Sequence, residues 1–182
     1  MRLLLALLCC LPVGAESFHR HSLAAGFGGA FPVGGNYSGW RNRPELSLGY
    51  GLRLHRHFQA DAGVETVFRP TGVILGRINF DTKDTLFLIP FGGRIIATPK
   101  GERLWLSAGA GATYYRYRTQ ENLGYGHVAF GKWGYYALAG VSLALDRGHH
   151  FRVGATPKFH GINGRSRANR MFAVAGEFVF SF

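Results

Sequence analysis

Eight histidines, ten carboxylates and 21 Lys or Arg residues are the side chains of this 182-residue chain that could hold a metal, move a proton or grip an anion. The histidines run as "HRH" at 19–21 and 55–57 and as "HH" at 149–150, with His127 and His160 alone. A dedicated metal site needs further ligands at defined spacing, and none stands in that relation, so these read as exposed turn histidines, with no metal and no cofactor expected. The charges are more informative. Glu45, Asp61, Glu65 and Glu177, and likewise Arg53, Arg94, Arg152 and Lys158, fall at positions that alternate with apolar residues. Four acids and four bases enclosed away from water could pair, as a sealed interior requires. The remaining base is concentrated elsewhere: Arg41, Arg43, Arg116, Arg118, Arg165, Arg167 and Arg170, with Arg69, Arg77, Lys83 and Lys132, stand against only Asp81, Asp84 and Glu121. Arginine forks pair bidentately with phosphate, so these predict contact with an anionic lipid. A nucleic-acid partner is not expected, since "RSRANR" is a basic run without a recognition fold. The Gly-rich "GFGGAF" and "GAGAT" lack the helix and acidic residue of a nucleotide site.

The elements that position these groups follow from a recurring period of two. In "ELSLGYGLRLH", Leu46, Leu48, Tyr50, Leu52 and Leu54 share one face and Glu45, Ser47, Gly49, Gly51 and Arg53 the other. Helical spacing cannot separate them so. The same alternation runs through "SLAAGFGGAF", "FQADAGVETVF", "TLFLIPFGGRIIA", "LWLSAGAGATYY", "KWGYYALAGVSLAL", "FRVGATPKF" and "MFAVAGEFVFSF", giving about eight strands. The connections alternate in length. Long ones are expected at 33–44, 69–84, 116–132 and 160–170, and tight turns near Arg56, Lys100 and "DRGHH". That is an up-and-down antiparallel meander closed into a barrel. Pro90 and Pro157 fall inside strands, where a missing N–H predicts a bulge at each.

The first residues, "MRLLLALLCCLPVGAES", have the layout of a secretory signal peptide at 1–15, which leaves 16–182 as one barrel domain. Both cysteines, Cys9 and Cys10, lie in that leader, so no disulfide is expected in the exported chain. Charged residues make up 17% of the chain and glycine numbers 27, a balance more β-rich and less solvated than that of an ordinary soluble domain.

Alternation alone leaves two orientations open. With the apolar face inward the chain would be a soluble periplasmic ligand-binding barrel. With it outward the barrel would sit in lipid, its narrow lumen filled by the Gly, Ala, Ser and Thr of the opposite face and by the eight balanced charges. The small size of that opposite face favours the second, with Trp105, Tyr114, Trp133 and Tyr135 as interfacial aromatics.

The leader, the alternation, the long-loop and short-turn pattern and the closing "FVFSF" resemble the small eight-stranded outer-membrane barrels of Gram-negative bacteria, such as the transmembrane domain of outer membrane protein A. The resemblance implies a monomeric, all-β, eight-stranded antiparallel transmembrane barrel in the bacterial outer membrane. It also implies that Phe178, Phe180 and Phe182 act as the signal for the barrel-assembly machinery, with lipopolysaccharide as the surrounding partner. The expected role is structural or surface-interactive, through lipopolysaccharide or host and matrix ligands. Some barrels of this architecture are lipid A deacylases with a lipid-facing triad of His, a Ser two residues later and a Glu on the next strand. Here His160 is followed by Gly161 and Ile162, Ser166 is displaced, and Glu177 reads as lumenal, which leaves His160 a weak catalytic candidate and a lipid A-modifying enzyme the alternative.

Overall fold

The computed structural model describes residues 19–33, 42–74, 77–98, 103–120, 127–162 and 170–182, and the expected leader lies outside them. Side chains are described except at 69–74, 77–84, 117–120, 127–130 and 162. Eight strands follow one another: β1 (His21–Pro32), β2 (Arg43–His55), β3 (Phe58–Ile74), β4 (Arg77–Ala97), β5 (Leu104–Gln120), β6 (His127–Ala144), β7 (Phe151–Ile162) and β8 (Arg170–Ser181). Each pairs antiparallel with its sequence neighbour, and β1 pairs with β8 from Ser22↔Ser181 to Pro32↔Met171, so the sheet has no edge. The seam ends where His21 and Phe182 exchange backbone N–H···O bonds of 3.0 and 2.9 Å.

Closure sends one face of every strand outward, and that face carries the large apolar residues. Leu48 is 68% exposed, Ile95 64%, Phe27 60% and Trp133 55%. Water does not tolerate a continuous belt of this kind around a whole molecule, whereas hydrocarbon does. The apolar-inward, soluble alternative is therefore excluded. Phe178, Phe180 and Phe182 lie on the belt, with Phe180 and Phe182 stacked at 5.6 Å and Phe182 stacked on His21 at 5.5 Å.

The inward face is small where it must be. Gly92 and Gly111 stand opposite each other on β4 and β5. A Cβ on either would fall 2.7 Å from the Tyr136 Oη or 2.8 Å from its Cε1, so the two glycines make the space that this one ring fills.

Several expectations are corrected. The stretches 69–84 and 116–132 are not loops: apart from 75–76 and 121–126 they continue β3 into β4 and β5 into β6 as paired strands. Pro90 and Pro157 produce no bulge. The ladder between β3 and β4 omits the two pairs around Pro90 and resumes in the same register at Glu65↔Leu88, and β6 and β7 do the same around Pro157 between Leu138↔Lys158 and Val141↔Ala155. A missing donor costs hydrogen bonds locally, but the other side of each strand, Pro90↔Thr113 and Pro157↔Val174, holds the register. The register shifts lie instead at Arg53/His55, Val67/Arg69 and Pro70/Gly72.

The turn between β6 and β7 is built on Asp146. Its carboxylate accepts backbone N–H bonds from Phe151 at 2.8 Å and His150 at 3.1 Å, and lies 2.9 Å from His150 Nδ1. The Phe151 N–H first, then the His150 ring and N–H, hold its carboxyl well below the usual carboxylate range. A depressed folded value stabilises the turn above the unfolded carboxylate value and loses that contribution as pH falls. Protection of the His150 and Phe151 amides, relative to their intrinsic exchange rates, is therefore expected to fall below about pH 4, and to be low at neutral pH in Asp146→Asn, while protection of the Leu48 amide stays unchanged. For the belt, Leu48→Arg is expected to destabilise the barrel by about 2–4 kcal/mol in phospholipid vesicles, measured by denaturant titration.

Candidate functional site: the lumen and the loop-end rim

All eight residues of the expected charge set lie on inward positions. They do not form one uniform network but sort by height. Lys158 Nζ donates to Glu65 Oε1 at 2.7 Å and lies 3.5 Å from Glu177 Oε1, whose Oε2 accepts from Thr156 Oγ1 at 2.7 Å. One level toward the turns, Arg94 Nε donates to Asp61 Oδ2 at 2.6 Å, and Gln59 Nε2 donates to Asp61 Oδ1 at 2.6 Å. At the turn end Arg53 and Arg152 place their guanidinium carbons 4.5 and 4.2 Å from the centre of the Trp105 ring. Glu45 is fully buried toward the loop end, opposite Val67, and neither carboxylate oxygen has a hydrogen-bond partner among the described residues. Carboxylate is thus in excess toward the loops and guanidinium toward the turns.

An apolar plug caps this interior. Ala30, Val67, Leu86, Leu88, Tyr115, Met171 and Ala173 form one buried cluster in the loop-end half of the lumen. Seven side chains packed across a barrel of eight strands narrow the lumen at this level.

Two residues expected outside are inside. Trp105 is second in β5, opposite in phase to Leu104, Leu106 and Tyr114, and is only 8% exposed. Its place near a strand end suggested an interfacial aromatic, but parity decides the face. Arg43 opens β2 on the Glu45 side, opposite Ala30, and is 6% exposed, so it is a lumenal residue and not a rim residue. Lumenal Thr113 and Tyr136 were missed because isolated members of a small-residue face give no signal beyond their parity.

His160 is fully buried on the inner face, its ring 6.2 Å from Tyr136 and 6.3 Å from Tyr115, with Nε2 3.1 Å from Glu65 Oε2. A lipid-facing triad cannot use it, because β7 turns the alternate residues, Phe159 and Gly161, away from the lumen. Ser166 lies outside the described residues. The turn-end histidines come close to one another, His19 to His150 at 4.3 Å and His55 to His57 at 6.0 Å, yet no group of three His, Cys, Asp or Glu among the described residues is placed to hold a metal.

Of the expected rim, Arg116, Lys132 and Arg170 are described with exposed side chains. Arg116 and Arg170 each point outward one alternate step beyond an aromatic of the belt, Arg116 beyond Tyr114 and Arg170 ahead of Phe172, whereas Lys132 has the opposite parity to Trp133. Tyr114 packs edge-on to Trp133 at 5.2 Å, and Phe91 does so at 5.6 Å. Arg118 is a β5 residue whose side chain lies outside the described ones, as do Arg41, Arg165 and Arg167 entirely.

No family model matches this chain, and no curated protein is similar to it in sequence. Solved structures are similar in fold. Neisserial surface protein A has 14% identity over 92% of this chain and 100% of its own, with a TM-score of 0.66. The fold is that of the small eight-stranded outer-membrane barrels. The N-terminal β-barrel domain of Pseudomonas aeruginosa OprF has a TM-score of 0.63 at 9% identity, covering 90% of this chain and 98% of that one. Ail, the attachment invasion locus protein of Yersinia pestis, in complex with the heparin analogue sucrose octasulfate, has a TM-score of 0.59 at 12% identity, with 89% and 97% covered. The outward belt makes this barrel membrane-spanning, and the bacterial outer membrane is where barrels of this fold reside.

Removing Lys158 leaves Glu65 and Glu177 buried without their shared cation. Lys158→Met is therefore expected to cost about 3–5 kcal/mol in denaturant titration, and the double variant Glu65→Gln/Lys158→Met to recover part of it. Planar-bilayer recording of the parent protein is expected to give no large, stable conductance.

Proposed function

We propose that this protein is a closed outer-membrane barrel that works through its loop-end surface, gripping lipopolysaccharide phosphates with outward arginines. The observation that carries this reading is the position of Arg116 and Arg170 directly beyond the aromatic belt. Tyr and Trp settle at the membrane–water boundary, so a guanidinium one alternate step farther out, about 7 Å along the strand, meets the phosphate layer. There its fork binds bidentately. The segments at 34–41 and 163–169 supply Arg41, Arg165 and Arg167 to the same end by chain connection. The sulfated ligand in the Ail complex is a polyanion of related chemistry, and host or matrix polyanions would meet the same arginines. Barrel-assembly recognition of Phe178, Phe180 and Phe182 is part of this reading, as is a monomeric barrel.

The test is lipopolysaccharide retained through detergent extraction and purification. Arg116→Glu/Arg170→Glu is expected to retain several-fold less than the parent, with heat-modifiable gel migration unchanged, and the parent's retention is expected to fall with salt. Equal retention by parent and variant at every salt concentration would falsify the proposal.

A further inference from the structure

The turn-end half of the lumen holds a cavity of about 70 Å³, beneath the Arg94–Asp61 pair and above Trp105. Its lining mixes apolar groups such as Ile96, Trp105 and Val141 with the polar Ser22, Gln59, Ser107, Arg152, Thr156 and Glu177. By the measure in which one water needs about 10–15 Å³, it has room for several waters or one small oxyanion. The charges around it are unevenly satisfied. Asp61 is held by Arg94 and Gln59, and Glu177 by Lys158 and Thr156. Arg152 has no carboxylate within ion-pair distance among the described residues; Nη2 donates to Ser181 Oγ at 3.0 Å, and buried Nε makes no hydrogen bond. The side chain is 8% exposed, and the Trp105 face stabilises its guanidinium only through the ring's quadrupole. A second guanidinium, Arg53, lies on the same ring and adds positive potential at this level.

We propose that this cavity is an anion site, sized for one small oxyanion such as phosphate, with the Arg152 fork as its principal ligand and the lining hydroxyls as secondary donors. A buried guanidinium with an idle donor beside a cavity is under-coordinated, and an oxyanion accepts from it with charge assistance. The enclosure also sets selectivity, because a lipid headgroup phosphate cannot bring its acyl chains with it into the lumen. The site is independent of the loop-end rim, and it belongs to the opposite end of the barrel.

Trp105 reports on the site directly. In the full chain refolded in detergent with Trp40→Phe and Trp133→Phe, inorganic phosphate is expected to give a saturable change in Trp105 emission that chloride at equal ionic strength does not give. Arg152→Gln is expected to weaken it about tenfold or more, and Arg152→Lys less. Ser107→Glu sets a carboxylate in the cavity as an internal competitor and is expected to abolish the response. Heat-modifiable migration identifies which variants are folded, and Ser107→Glu carries the test should Arg152→Gln not fold. Short-chain phosphatidylglycerol is expected to give no response. A flat phosphate titration of the parent overturns the proposal, as does a chloride response of equal size, a lipid response matching that of phosphate, or a saturable response that folded Arg152→Gln or Ser107→Glu leaves undiminished.

Discussion

Backbone hydrogen bonding in a solvent without donors or acceptors is the constraint on which this structure depends. In hydrocarbon an unpaired N–H or C=O costs several kcal/mol, so the β1–β8 seam has to close. Closing after eight strands fixes a narrow interior, filled largely by side chains. The rest follows from that width. Bulky residues go outward, where lipid gives them space, and the inner face becomes glycine, alanine and hydroxyls punctuated by a few large groups such as Tyr136, which needs Gly92 and Gly111 bare.

The same width governs the charges. Ions inside so narrow a space cannot keep their water, so they bind one another or stacked rings. The layering of the lumen, carboxylate-rich above and guanidinium-rich below with Lys158 and Arg94 between, is how eight strands with fixed registers reconcile that requirement. With Arg43 inside, the described lumen holds four acids against five bases, near balance as a whole and uneven at each level. Glu45 and Arg152, at opposite ends of the charged region, are among the groups that keep polar atoms without a hydrogen bond.

Much of this was legible in the alternation, because side-chain parity and the pleat obey the same period of two. Strand number, order and the outward face of Leu46, Leu48 and Phe178 could be read directly. The differences share a cause, because local chemistry yields to parity and pairing. Aromatic type and end position point Trp105 outward, and charge near a loop does the same for Arg43, but parity places both inside. One lost donor predicts a bulge at each proline, yet the second neighbour of each strand keeps the register. The upper parts of β3 to β6 were hidden for another reason. Beyond the membrane no apolar face is required, so a paired ribbon there reads like a polar loop. Which inward acid meets which base was not readable, since that depends on registers between strands far apart in sequence, as with Glu65 and Lys158.

Those upper ribbons make the mouth lopsided. A strand of about 9–11 residues crosses the hydrocarbon, yet β4 has 21 residues and β3 17, against 12 in each of β1, β7 and β8. At about 3.4 Å per residue, β4 exceeds β8 by roughly 30 Å of hydrogen-bonded chain. Among the described residues the paired ladder therefore reaches farthest beyond the belt along β3–β6. Arg116 stands where β5 leaves the belt to join that ribbon, and Arg170 opens the shorter β8. The membrane belt runs all the way round, whereas the hydrogen-bonded wall above it is tall on one side only of the described barrel.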